Sequence, residues 1–185
     1  KYGLQNKRLQ LFQQNKIINI LIDNNINLIE TAHNYNNYFL LKKFINKKSK
    51  IITKIPTINR IINYDDFLDY YIEQPIKLLN INDFYGVHLH DSSHLVEREG
   101  IIWKYLQETK YKNRIQNIGV SFLDFDDFYR YLDQYSFDFF QIPFNILDNR
   151  WSNYINVLKN SKSKIHVRSI FLKGLLTKAD PDLFI

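Results

Sequence analysis

What most constrains the fold of this chain is an alternation: helical stripes of apolar residues recur between short apolar runs, at regular intervals along the sequence. Ile17, Ile18, Leu21 and Ile22 repeat with helical spacing, then polar turn residues lead into the short run Asn27 to Thr31. Leu40, Leu41, Phe44 and Ile45 form a second stripe before the strand Ile51 to Ile55. A third helix is expected over much of Asp65 to Leu79, with an interruption, a kink or a new start at Pro75, whose ring and missing N–H oppose a helix interior. The strand Phe84 to His90, a helix around Ile101 to Glu108, the strand Ile115 to Ser121 and the helical stripe Phe125 to Leu132 continue the pattern. Asp138 to Ile142 is a further strand, Trp151 to Leu158 a helix, and Ile165 to Ile170 the last clear strand.

Helices interleaved with short strands argue for a parallel sheet, because each crossover lays a helix over the sheet's apolar face. The choice lies between an open doubly wound sheet and a closed barrel. No strand is followed by GxGxxG or a P-loop, which argues against the nucleotide folds that use them. Polar residues instead recur after several different strands, as at the mouth of a barrel. The reading is therefore an α/β fold, a (β/α)8 TIM barrel. With about six strands where the full barrel has eight and roughly 250 residues, it is expected to be incomplete here, lacking the first strand and the final barrel segments.

Residues 1–185 are expected to form one domain, since 45% hydrophobic content supplies a substantial core and no Gly/Ser linker divides the chain. The absence of cysteine removes disulfides, thiolate chemistry and sulfur-ligated metals, and agrees with a reducing, cytoplasmic setting. No apolar run approaches the roughly 20 residues that span a bilayer, so no membrane partner is expected. The formal charge of +6 raises the question of nucleic acid, but the lysines are dispersed. Only Lys42 to Lys50 is dense, on an expected solvent-facing helix and turn, so no nucleic-acid partner is expected either.

A lysine inside an apolar strand must snorkel outward or meet a specific partner, and Lys54 sits inside Ile51-Ile52-Thr53-Lys54-Ile55. The segment Glu30-Thr31-Ala32-His33-Asn34-Tyr35 offers that partner: a carboxylate at one strand end, with a phenol on the loop behind it. If Glu30 pairs with Lys54, the buried ammonium is compensated. A phenol titrates at about 10 and needs a neighbouring cation to serve as a proton donor near neutrality, which Lys54 can supply to Tyr35. His90, closing its strand, can orient a carbonyl or share the proton on a developing alkoxide. Each has a plainer explanation alone, since Tyr35 is one of 13 tyrosines and Glu30 can serve as a loop carboxylate. Only the set gives them weight.

Other strand ends add polar candidates. His88 and His90 stand two apart and share a side of their strand; with Asp91 and His94 they offer a metal-dependent alternative. Convergence of ligands is not written in that spacing, and no catalytic metal is expected. His33 is expected to hydrogen-bond locally or face solvent. Ser121 and Gln141 can bond a carboxamide, Phe144 can stack on a flat ring, and Arg168 or Lys173 can meet an anionic group of cofactor or substrate.

These residues resemble the aldo-keto reductase family, in particular its compact bacterial members. Glu30-Thr31-Ala32-His33-Asn34-Tyr35 is similar to the family's Asp-Thr-Ala-x-x-Tyr motif, Thr53-Lys54 to its strand-end Thr-Lys, and His90 to the histidine closing the next motif. Ile118-Gly119-Val120-Ser121 resembles Ile-Gly-Val-Ser-Asn, Asp138 to Asn145 resembles the glutamine-bearing strand, and the likeness runs from about Tyr2 to Leu176. The resemblance implies NAD(P)H-dependent reduction of an aldehyde or ketone to an alcohol, with NADPH the usual cofactor and NADH an option. It implies Tyr35 as proton donor, Lys54 tuning it, Glu30 at the aspartate position and His90 aiding carbonyl orientation. Ser121, Gln141, Phe144 and Arg168 fall to cofactor binding.

Three substitutions depart from the pattern. Glu30 replaces aspartate with a longer stem, Asn36 replaces a glycine after the tyrosine, and Phe122 replaces an asparagine after Ser121. Asn enters left-handed backbone space readily, which suits Asn36 to its position. Together the three motivate a second reading, a noncatalytic barrel that binds cofactor. The motifs name neither a particular carbonyl substrate nor an oligomeric state.

Overall fold

The computed structural model describes residues 10–177. The start of the family likeness at Tyr2, the closing Asp180 to Ile185 and the side chain of Lys173 lie outside them.

Helix α1 (Leu11–Asp23) leads to β1 (Leu28–Glu30), and the single helical turn α2 (Tyr38–Leu41) to β2 (Lys50–Ile55). Helices α3 (Tyr64–Leu68) and α4 (Gln74–Leu79) precede β3 (Gly86–Leu89), and α5 (Ile101–Tyr111) precedes β4 (Ile118–Ser121). Then come α6 (Phe125–Leu132), β5 (Phe139–Pro143), α7 (Ile155–Asn160) and β6 (Lys164–Arg168). The strands form one six-stranded sheet in chain order, every neighbouring pair parallel. This is a curled part of a (β/α)8 barrel. Its curvature shows in a hydrogen bond from Gln141 on β5 to Glu30 on β1, strands that are not neighbours in the sheet.

Strand side chains alternate between two environments. Ile51, Ile55, Val87, Leu89, Ile118, Val120, Phe140 and Ile142 point outward into one hydrophobic cluster, where Phe67, Ile72, Leu106 and Phe128 of the helices cover them. The alternate residues line the barrel interior. The register aligns Lys54 with His88, His88 with Gly119, Gly119 with Phe139, and Gln141 with His166. A Cβ at Gly119 would strike the Phe139 carbonyl oxygen, so the bare backbone there admits its neighbour. The Phe139 ring lies between His88, edge-on at 5.5 Å, and His166, stacked at 4.8 Å, and forms a floor below the strand ends.

The helix expected over Asp65 to Leu79 is interrupted ahead of Pro75, where a new α-helical segment starts. A π-helical stretch, Asp69–Glu73, joins α3 to α4 and places Pro75 in the first turn of α4, where a missing N–H costs little. The stripe Leu40 to Ile45 holds only one α-helical turn, and Trp151 begins in a 3-10 turn, Arg150–Tyr154, before α7. Ile115 meets Phe84 in an isolated bridge ahead of β4.

Candidate active site

Six inward side chains come together at the C-terminal ends of the strands: Glu30, Lys54, His90, Ser121, Gln141 and Arg168. The register explains why. Lys54 is aligned with His88, and the His90 N–H continues the ladder by donating to the Ile55 carbonyl at 3.0 Å, which keeps His90 in the inward row. Ser121 is aligned with Gln141, and Arg168 with Pro143.

Lys54 is the buried cation of the group. Its ammonium donates to Glu30 Oε1 at 2.7 Å, with side chains 8% and 32% exposed. Gln141 Nε2 donates to the other Glu30 oxygen, so one carboxylate ties β1 to β2 and to β5. The longer stem of Glu30 is therefore long enough to reach Lys54. Gln141 Oε1 is buried and without a hydrogen-bond partner among the described residues, and the buried Ser121 lies beside it in the register. A buried acceptor of this kind is suited to a hydrogen-bond donor carried by a ligand.

Tyr35 ends the 3-10 turn His33–Tyr35 and is 59% exposed at the rim. The next residue, Asn36, adopts a left-handed backbone with φ 50 and ψ 41, as expected for the replacement of a glycine. The loop is pinned at both ends by residues that the motif reading left without a role. Thr31 donates from Oγ1 to Asn37 Oδ1 at 2.6 Å, and the Tyr38 hydroxyl meets Thr53 Oγ1 at 2.7 Å. Burial pushes the Tyr38 phenol up to about 12, whereas Tyr35 stands exposed on the same loop. His33 is half-buried among Tyr38, Tyr70 and Tyr71, with centroid distances of 6.2, 4.7 and 4.8 Å, rather than facing solvent.

His90 is held below its ordinary pKa by burial and then by the charges of Lys54 and Arg168, so at neutral pH it is an uncharged imidazole. Phe144, 37% exposed, follows β5 at the rim, and its N–H donates to the Arg168 carbonyl at 3.1 Å. Asn145, another residue the motifs left unassigned, accepts from the N–H groups of Leu147 and Asp148, each at 2.9 Å, and donates to the Ser169 carbonyl at 3.2 Å. It fixes the loop after β5 against the loop after β6. Asparagine's habit of bonding the backbone two and three residues on was the available signal.

Phe122 is not at the mouth. It follows the inward Ser121, so it turns outward and packs against Phe128, Phe137 and Phe140 at 5.4, 5.7 and 6.4 Å. The histidines of the metal alternative do not converge. His94 accepts the Ile58 N–H at 2.8 Å and meets Glu97 at 3.1 Å, while Asp91 accepts from the Ser93 N–H. Among the described residues no group of three or more His, Asp and Glu side chains can hold a metal. No described helix is long and apolar enough to cross a membrane.

With this geometry in hand, comparison with known proteins is specific. The aldo/keto reductase family model matches residues 1–183. The chain belongs to the aldo/keto reductase family. No curated protein sequence matches it. Solved structures of aldo-keto reductases share its fold. That of a Bacillus halodurans enzyme in its holo form has a TM-score of 0.74 at 18% identity, covering 95% of this chain and 62% of its own. A glycerol dehydrogenase of Gluconobacter oxydans gives 0.73 at 17% identity, over 95% of this chain and 59% of its own. An aldo-keto reductase of Klebsiella pneumoniae in complex with NADPH gives 0.68 at 15% identity, over 86% and 59%. The chain thus spans about three fifths of the length of these three aldo-keto reductases.

Proposed function

We propose that this chain reduces an aldehyde or ketone to an alcohol with a nicotinamide cofactor, NADPH by preference and NADH as an option. The observation that carries the reading is the Lys54–Glu30–Gln141 network at the strand ends of a chain of this family. The residues fit the cofactor: the unpartnered Gln141 Oε1 can accept from the nicotinamide carboxamide, and Ser121 can bond the same group. Phe144 stands at the rim beside them. When bound, the cofactor supplies hydride to the carbonyl carbon.

The chain's own residues handle the proton and the charge. Tyr35 donates its phenolic proton to the carbonyl oxygen as negative charge develops there. Lys54, held by Glu30, keeps a positive charge at the mouth that favours loss of that proton. The uncharged His90 can donate one hydrogen bond to the same oxygen and so orient the carbonyl. No metal enters this scheme.

Two of the substitutions behind the noncatalytic reading have structural explanations, since Asn36 takes the left-handed backbone and Phe122 serves the core. The third, Glu30, keeps its contact with Lys54. Fluorescence titration with NADPH, followed by absorbance loss with a panel of aldehydes and ketones, tests the proposal. Binding with turnover is the expected result. Binding without turnover across the panel would favour the noncatalytic barrel, and neither would reject both.

A further inference from the structure

Arg168 is the one mouth cation whose charge the described residues leave uncompensated. It ends β6 in the inward row, half-buried. Its guanidinium makes a single hydrogen bond among the described residues, to Ser169 Oγ at 3.4 Å, and no ion pair. Two carboxylates lie within electrostatic reach, and both are engaged elsewhere. Glu30 spends its oxygens on Lys54 and Gln141, and Asp148 spends its own on Arg150 at 3.0 and 3.2 Å. Arg150, itself a cation, adds repulsion, and Tyr35 and His90 face the same space.

A guanidinium carries five donors in a planar fork that matches a carboxylate or phosphate. Removing it partly from water without a paired anion is costly, and burial pushes its pKa down from the usual value. An anion arriving at the mouth would offset that cost, and it would do so beside Tyr35.

We propose that Arg168 is the anion anchor of this site, and that its carbonyl substrates carry a carboxylate or phosphate near the reacting carbon. This rests on the reductase reading for its chemistry but not for its binding. The competing source of the same chemistry is a phosphate of the cofactor, which the test separates.

The test uses the full chain with Arg168→Leu and Arg168→Lys. Binding of succinic semialdehyde, of butanal and of NADPH is measured by calorimetry, and turnover of both aldehydes is followed in parallel. The flexible pair differs in its terminal carboxylate and leaves the anion free to find the guanidinium. Arg168→Leu is expected to weaken succinic semialdehyde binding at least tenfold more than it weakens binding of butanal or NADPH. Arg168→Lys, with charge but no fork, should fall between, and it decides the matter if the leucine variant does not fold. Equal losses for the two aldehydes, or none, would overturn the anchor. A loss confined to NADPH would assign the guanidinium to the cofactor and also overturn it. An Arg168-dependent preference without reduction of either aldehyde would support the anchor and reject the reductase reading instead.

Discussion

Lys54 and Glu30 meet at 2.7 Å at the ends of adjacent strands, and the same carboxylate takes the Gln141 amide from across the barrel. Removing the carboxylate leaves a nearly buried ammonium without its partner, the costly way to break such a pair. Glu30→Gln is therefore expected to lower stability by about 2–4 kcal/mol in urea unfolding. The double variant Glu30→Gln with Lys54→Met should recover most of that loss, because the unpaired charge goes with it. An additive loss in the double variant would show that the pair contributes through something other than charge compensation.

Gln141 links this pair to the proposed cofactor site. Its Nε2 is committed to Glu30 while its buried Oε1 has no partner among the described residues. Gln141→Leu should weaken NADPH binding roughly tenfold, the worth of about one or two hydrogen bonds left unmade. Fluorescence titration reads the change directly. Unchanged affinity would remove Gln141 from the cofactor site.

The barrel interior also sets an acid limit. Burial holds His88 well below its ordinary pKa, with Lys54, His166 and His90 adding like-charge repulsion, and holds His166 down too. An unfolded chain takes up these protons as pH falls through about 6.5, and the folded chain does not. Stability should be flat above that value and fall below it until the folded values are reached, with His88 contributing up to about 1.4 kcal/mol per pH unit. Both His88 ring nitrogens are buried without a hydrogen-bond partner among the described residues, so His88→Leu should raise neutral-pH stability by about 1–3 kcal/mol and flatten the acid slope. Thermal unfolding between pH 5 and 8 checks both, the range being roughly that of histidine titration.

Phe122 offers a prediction in the opposite sense. Restoring the family's asparagine with Phe122→Asn should gain no cofactor affinity, because this position faces the helices. It should cost about 3–5 kcal/mol in chemical denaturation, from the lost ring and a buried amide without partners. Tighter NADPH binding in that variant would contradict the outward placement.

Much of this was legible in the residues. The helix and strand alternation argues for a parallel sheet, and Lys54 inside an apolar run must either snorkel outward or meet a partner, which Glu30 proves to be. The period of two put His88 and His90 on one side, and they face inward together. Read one residue further from Ser121, the same period would have turned Phe122 into the core. What remained hidden depends on curvature. The contact between Glu30 and Gln141 spans 111 positions and exists only because the sheet curls. His94 could not be excluded as a ligand without knowing that the Ile58 N–H occupies it. Pro75 signals that the helix is interrupted, but not that the interruption takes a π-helical form.

The central claim, proton delivery by Tyr35 with Lys54 tuning it, is tested most directly by NADPH oxidation under single-turnover conditions, wild type against Tyr35→Phe, with an aldehyde that the wild type reduces. The prediction is a loss of at least about a hundredfold in the chemical step, the usual worth of a positioned general acid, with NADPH affinity unchanged. Turnover by Tyr35→Phe at close to the wild-type rate would contradict it.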